Sequence, residues 1–558
     1  MALLKMPLEI VTRILHFLGV IDLVACGRCC RILASLLSIP TFQYKLLLGR
    51  LSMADGPMSL SKCSLVERLS ALKRYQAAWR DASPRPLRTV YSAFVAPYRM
   101  LPFSGSALPV LTGSALRLIS PACSLRLKPY RDWSVNLASY NLRPHFCATD
   151  PSQTLLVLCG SLLAAPSTIQ CRLLQLSDDG NLRSHPNAAA SCLTVSCSLD
   201  SAHTIKVTIH GALIGWLWFD TMPELRVYNW RTGRVVWCRI LHPDFYDLAF
   251  IDEHTLLVVQ TYRLLVYTID SSAAGATHSE SIPYSAKLPA NVTCLLGLPP
   301  LVDNAVASIH GVASQRPSSS IGNESMFAMD PLRAIIAIPM TVTIPNCAPL
   351  EQYLVIVPVG AIITAIKLFN SGKAIKTDEA DGSFTLPWQS WGARSLVLPF
   401  LHRQRPTDTV TWYCCGLSAL GNKCAITFCC NQPYSTIIDT FVVDLVDDTT
   451  RMDTLIDPGE FLPPSYHVSE DCIPHLLGFP LRNCLSYHLL RKVFEYDHPV
   501  DTPWINHSTH LLDDGIVFTA FNHNANISEI YLVPVDQDEG ASGASATPMV
   551  SKVEGIQQ

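Results

Sequence analysis

Cys26-Gly27-Arg28-Cys29 places two thiols at the spacing that zinc sites and thiol–disulfide chemistry use. A structural zinc needs four ligands, and no second pair stands at a matching spacing, so these cysteines read as buried structural residues. His507 and His510, close to Asp513 and Asp514, carry donor types that a metal accepts. In a loop beside a strand they read more simply as surface residues. Asp447 and Asp448 set two carboxylates side by side, but they close an apolar run and serve a turn. Cys192 and Cys197 read as core thiols. Trp388 and Trp391 flank a loop that is either a recognition surface or an anchor of the β core. The chain carries no Gly-x-Ser-x-Gly elbow, no phosphate-cradling glycine loop and no His-Glu-x-x-His. A hydrolase would need clustered acids or a metal at one mouth of the β region, and no such cluster is visible. No catalytic residue, metal or cofactor is expected.

The elements around these residues must therefore explain the chain. Its 558 residues are 49% apolar and 16% charged, which excludes disorder over most of the length. With 42 basic and 45 acidic residues the net charge is −3, and the pI is near 6.6. Binding to nucleic acid by counterion release needs a basic face, so no nucleic-acid partner is expected. The charge is uneven: residues 1–81 carry +6 and the remainder −9. The first part is also poor in proline and rich in leucine, which marks a domain boundary.

The twenty cysteines are scattered and lack the regular spacing of a small disulfide framework. Glu9, Arg13 and Asp22 interrupt any signal-peptide core at the start. A reducing compartment, the cytoplasm or the nucleus, is expected. The longest apolar run, Tyr353 to Phe369, is broken by Pro358 and Gly360 and reads as two buried strands; no membrane span is expected.

Near the N-terminus Pro7 suits the first position of a helix. Leu8, Val11, Leu15 and Leu18 then form one stripe, and Ile10, Ile14 and Phe17 a neighbouring one. Gly19 is expected to end this helix in left-handed geometry. Asp22 caps a short second turn, Arg28 to Ser38 forms a third helix stopped by Pro40, and Thr41 to Leu48 a fourth. So short a segment with so much apolar surface needs covering, either by a partner or by the rest of this chain; the pattern alone leaves both open.

The residues Met6-Pro7-Leu8-Glu9-Ile10, Ile14-Leu15, Leu18, Ile21-Asp22-Leu23 and Cys29-Cys30-Arg31-Ile32-Leu33 resemble the F-box motif. Its pattern is Leu-Pro-x-Glu, an aliphatic pair ending the first helix, an Asp-Leu turn and a Val-Cys-Arg helix. Met6 and Cys29 replace Leu and Val with comparable apolar bulk, and Phe42 stands near a frequent Trp. The resemblance implies a bundle that docks the Skp-type adaptor of a cullin–RING ubiquitin ligase, through Met6, Pro7, Leu8, Ile10, Ile14, Leu15, Leu18, Leu23, Cys29 and Leu33. Beyond the motif, the whole arrangement resembles the F-box proteins abundant in mushroom-forming fungi.

After the bundle, Ser64-Leu65-Val66-Glu67 is a capping box that opens a helix carrying Leu65, Leu69, Leu72, Gln76 and Trp79 down one face. That helix reads as a rigid spacer, as an ordinary packed helix, or as both. Beyond Pro86 short apolar stretches alternate with turn residues. In Leu213 to Ile240 a strand, a turn at Met222-Pro223-Glu224, a second strand, a hairpin at Arg231-Thr232-Gly233-Arg234 and a third strand resemble a WD-type blade. Residues 245–269 repeat this order, and Ile516–Phe521 with Ile527–Val535 look like a last blade.

The expected fold class is thus α+β and multidomain. An F-box of three or four helices spans 1–50, a helical linker 51–86, a large mainly-β domain 87–535 and a disordered tail 536–558. The β domain is a degenerate β-propeller, with a pair of β-sandwiches as the alternative. Ser308 to Met326 reads as a mobile loop. The function this implies is substrate recognition within an SCF-type ubiquitin ligase, without catalysis by this chain. The adaptor, a cullin reached through it and an unidentified target protein are the partners. A non-ligase F-box scaffold, or a propeller module whose helices pack in cis, is the other reading.

Overall fold

In a computed structural model of the chain, residues 5–534 are described apart from 57–62, 81–88, 92–97, 270–291, 315–325, 344–350, 401–411, 447–485, 498–504 and several gaps of five residues or fewer. The readings made for the tail after 535, for Asp447–Asp448, for Asp513–Asp514 and for most of the 308–326 insertion lie outside the described residues.

Four helices open the chain: α1 (Leu8–Phe17), α2 (Val20–Cys29), α3 (Arg31–Leu37) and α4 (Pro40–Arg50). They form because each offers an apolar stripe to a shared centre, where Val11 and Leu15 meet Leu23, Val24, Leu33, Leu36, Phe42 and Leu46. Lys45 of α4 donates to the carbonyls of His16 and Leu18 at 2.8 and 2.6 Å, satisfying the end of α1 with a cation. Four details depart from expectation. Pro7 precedes α1 in extended geometry, its carbonyl accepting from Ile10 and Val11. Gly19 has φ −66° and begins α2 instead of closing α1 in left-handed geometry. The Asp22 turn extends into a ten-residue helix, and Pro40 is the first residue of α4.

A short strand, β1 (Met53–Asp55), follows and pairs antiparallel with Phe327–Met329, deep in the β half. The helix α5 (Leu65–Arg80) begins at the capping box as expected. Ser64 Oγ accepts the Glu67 amide at 3.3 Å, while Glu67 accepts the Ser64 amide at 2.7 Å and its carboxyl is held below the usual range by those bonds. Leu69, Leu72, Tyr75 and Trp79 of α5 are buried with Met53, Phe327, Leu420 and Ile516 in one core. Tyr75 takes the place expected of Gln76. Arg68 ties α5 to Asp55 at 2.9 Å, and Tyr44 donates to the same carboxylate at 2.8 Å. The spacer helix is therefore packed as well as rigid.

The β half contains seven sheets of four or more strands among the described residues, taken in chain order with few crossovers. The 213–240 reading holds: strands Leu213–Phe219, Pro223–Asn229 and Arg234–Ile240 pair in order, with His203–His210 added at the other edge. The 245–269 unit repeats this as Phe245–Asp252, Thr255–Gln260 and Arg263–Thr268. Thr89–Tyr91 pairs with Ile527–Pro534, so the first strand of the β half completes the last sheet and closes the ring. Six sheets contribute residues to one central cavity, the arrangement of a six-blade β-propeller. The seventh, spanning 98–136, contributes none; its Leu116, Leu118 and Trp133 pack on Leu156, Leu158 and Leu174 of the next sheet.

The run Tyr353 to Phe369 does not form two strands. Glu351–Pro358 is a strand, but Val359–Asn370 turns into helix α6, which buries Val359, Ile362, Ala365, Ile366 and Phe369 on one side. Pro358 leads into it in extended geometry, and the i, i+3, i+7 spacing of those apolar residues suits a helix lying on the sheets. Trp388 and Trp391 form the turn of helix α7 (Trp388–Trp391) with rings 4.7 Å apart, edge to face. Both are buried and Trp391 donates to Gly297 O at 3.0 Å, so this pair is a core anchor and the recognition-surface reading is set aside. Among the described residues, no single helix is long and apolar enough to cross a membrane.

Candidate functional site

Helix α1 buries one stripe and leaves the adjacent one open. Val11 and Leu15 are sealed in the bundle, while Ile10 (44% exposed), Ile14 (36%) and Phe17 (83%) project to solvent at i, i+4 and i+7. Polar side chains would be expected on that stripe of a helix serving only its own fold. Of the residues carried over from the motif, Met6, Pro7, Leu8, Ile10, Ile14 and Cys29 are exposed and Leu18 is half-buried. Leu15, Leu23 and Leu33 are instead buried in the bundle's own core and cannot contact a partner without unfolding it. Phe17, Ile21 and Ile32 lie outside that set, yet each is more than half exposed. The i+7 step from Ile10 to Phe17 was the available signal.

The Cys26–Cys29 pair lies on α2, where Cys29 Sγ donates to Ala25 O at 3.2 Å. Cys29 is exposed, not buried as the pattern had implied, and burial pushes the half-buried Cys26 thiol up. Cys192 and Cys197 are likewise only part-buried, with the Cys197 thiol pushed up to about 11 by burial and nearby carboxylates. Among the described residues no group of three or more His, Cys, Asp or Glu side chains is placed to hold a metal.

A feature of a different kind is the central cavity of the propeller, about 840 Å³ in volume. His510, expected at the surface, instead lines it, tilted against Phe103 with ring centroids 4.7 Å apart. Burial lowers its imidazole to about 4. On another wall, Lys206 pairs with Asp247 and donates to Val312 O at 2.9 Å, while the second oxygen of Asp247 accepts the Val312 amide at 2.7 Å. His310 shares a hydrogen bond with Thr341 Oγ1 at 2.6 Å, and burial lowers its pKa as well. His507 and His510 stand on a strand, Ile505–Leu512, and not in the loop expected of them; the side from which His510 faces the cavity depends on how six sheets close.

Residues 3–44 match the family model of the F-box domain. No curated protein matches the chain. Among solved structures, the chain is similar to the β-propeller domain of Cps50 (Swd1) from Myceliophteria thermophila, at 11% identity and a TM-score of 0.32, over 80% of this chain and 99% of that one. It is also similar to the β-propeller domain of Nup133 from Vanderwaltozyma polyspora, at 8% identity and a TM-score of 0.35, over 80% and 96%. At such values the assignment of the propeller rests on the order and pairing of the sheets themselves.

Proposed function

We propose that this chain, with an F-box domain ahead of a propeller, is the substrate-recognition subunit of an SCF-type ubiquitin ligase. The F-box docks a Skp-type adaptor and, through it, a cullin; the β domain holds a target protein. The observation that carries this reading is the open stripe Ile10, Ile14 and Phe17 beside the buried stripe Val11 and Leu15. Fully burying a side chain of that size contributes roughly 1.5–3 kcal/mol. Several together can offset an association cost of about 4–15 kcal/mol. The pairing of β1 with Phe327–Met329 adds support, because it fixes the docking face relative to the propeller. The chain itself then performs no bond chemistry; its effect is to raise the local concentration of a target lysine at the ligase. The reading places it in the cytoplasm or nucleus, and its architecture is of the kind seen in fungal F-box proteins.

The test is affinity purification of the full chain from cells under proteasome inhibition. Adaptor and cullin are expected with the wild type and lost with Met6→Ala/Pro7→Ala and with Ile14→Asp/Phe17→Asp. Full retention of the adaptor by both variants overturns the docking assignment. Adaptor without cullin, and no ubiquitin transfer in a reconstituted assay, moves the chain to the non-ligase scaffold reading.

A further inference from the structure

The sheet spanning 142–196 buries Cys147 on the strand Leu142–Asp150, Cys159 on Leu155–Leu162 and Cys171 on Thr168–Leu176. Cys159 and Cys171 stand directly opposite one another in the antiparallel pairing of the last two strands, with their sulfurs 2.7 Å apart. Both belong to the core that contains Trp216 and Trp230. Cys147 lies on the other face of the sheet with Leu156 and Leu158. Among the described residues, no other strand register sets two cysteines opposite each other.

The kind of pairing matters. Two residues beyond Cys171, the Leu173 amide donates to Ser191 O and the Leu173 carbonyl accepts from the His185 amide. Both bonds run to the side away from the strand that carries Cys159. Pair types alternate along a ladder, so Cys159 and Cys171, like Val157 and Leu173, form a non-hydrogen-bonded pair. Such pairs hold their Cα atoms about 4.5 Å apart, within the span of about 4.4–6.8 Å that a disulfide bridges.

We propose that Cys159 and Cys171 are a redox site that closes into a cross-strand disulfide when the chain meets a peroxide. One sulfur attacks a peroxide oxygen, becomes a sulfenic acid and releases the first water. The other sulfur then attacks that sulfur, forms the S–S bond and releases the second water. Two thiols and one hydrogen peroxide thus give one disulfide and two waters; the thiols lose two electrons and the peroxide gains them. Both side chains are fully buried, and burial pushes the Cys159 thiol up, so the closed sheet shields them. The reaction therefore proceeds through local opening of the sheet. Once formed, the bond ties two strands at residues twelve apart in the chain and resists their separation.

The experiment treats the reduced full chain with hydrogen peroxide in urea below its unfolding transition. Catalase then removes the peroxide, N-ethylmaleimide blocks the remaining thiols in denaturant, and the chain is mapped by mass spectrometry. A peptide that has lost two hydrogens and carries no maleimide on Cys159 or Cys171 is expected, with Cys147 still alkylated. Dithiothreitol should restore both thiols, and the oxidised chain should melt at a higher temperature than the reduced one. Cys147→Ala should keep that upward shift, while Cys159→Ala and Cys171→Ala should abolish it. Should those variants fail to fold, the wild-type peptide map decides by itself. Both thiols still alkylated after exposed Cys29 has been oxidised, a sulfinic acid in place of the bond, or a bond from either sulfur to another cysteine would each overturn the proposal.

Discussion

Tyr75 of α5 meets Phe327 of the β half edge to face, with ring centroids 5.4 Å apart and planes at 73°. Both rings are buried, and Arg126 donates to the Phe327 carbonyl at 3.0 Å. The contact joins the helical segment to the strand that also pairs with β1, so bundle and propeller share one core across their boundary.

Tyr75→Ala and Phe327→Ala should each destabilise the chain by about 3–5 kcal/mol, as large-to-small changes in a closed core do. A double-mutant cycle by urea unfolding should return a coupling of about 0.5–1.5 kcal/mol. Strictly additive losses would mean the rings do not support one another.

The two stripes of α1 should separate cleanly. Leu15→Ala removes a fully buried side chain and is expected to cost about 2–5 kcal/mol. Phe17→Asp lies at an exposed position and should leave stability within about ±0.5 kcal/mol while abolishing adaptor capture. Denaturation curves and pull-downs on the same two variants check this.

His510 sets a pH dependence. Its folded-state pKa of about 4 lies below the ordinary 6.5, so between these values the unfolded chain binds more protons. The stabilising effect is complete above pH 6.5 and is lost as pH falls towards 4, a change of as much as about 3 kcal/mol at 1.36 kcal/mol per unit. His510→Gln should flatten that limb in melting experiments from pH 7 to pH 4. An unchanged acid limb in the variant would show that another group carries it.

Gly160 faces Pro144 in the 142–196 sheet, and a Cβ there would lie 2.1 Å from the Arg143 carbonyl oxygen. That neighbour is backbone beside a register shift and cannot turn aside. Gly160→Ala should therefore destabilise by about 1–3 kcal/mol. Thermal unfolding with a drop in midpoint is the expected readout; an unchanged midpoint would mean the strand can shift there.

Local patterns carried much of this chain on their own. The capping box at Ser64–Glu67 closes as its residue types require, because both bonds form within one turn of helix. The two strand–turn–strand units from 213 to 269 form where turn residues separate apolar runs. The neighbouring stripes of α1 follow from helical spacing alone. What the pattern left open was which stripe faces inward, since Leu15 and Ile14 are equally apolar; packing against Leu23 and Phe42 decides it. Val359–Asn370 reads as strand by its β-branched residues, and the shared core on which it lies selects the helix instead. The β1 pairing with Phe327–Met329, the closure of the last sheet by Thr89–Tyr91 and the gathering of six sheets around His510 join residues far apart in the chain. Pairing and burial between such distant segments depend on the closure of the whole ring, which no window of sequence contains.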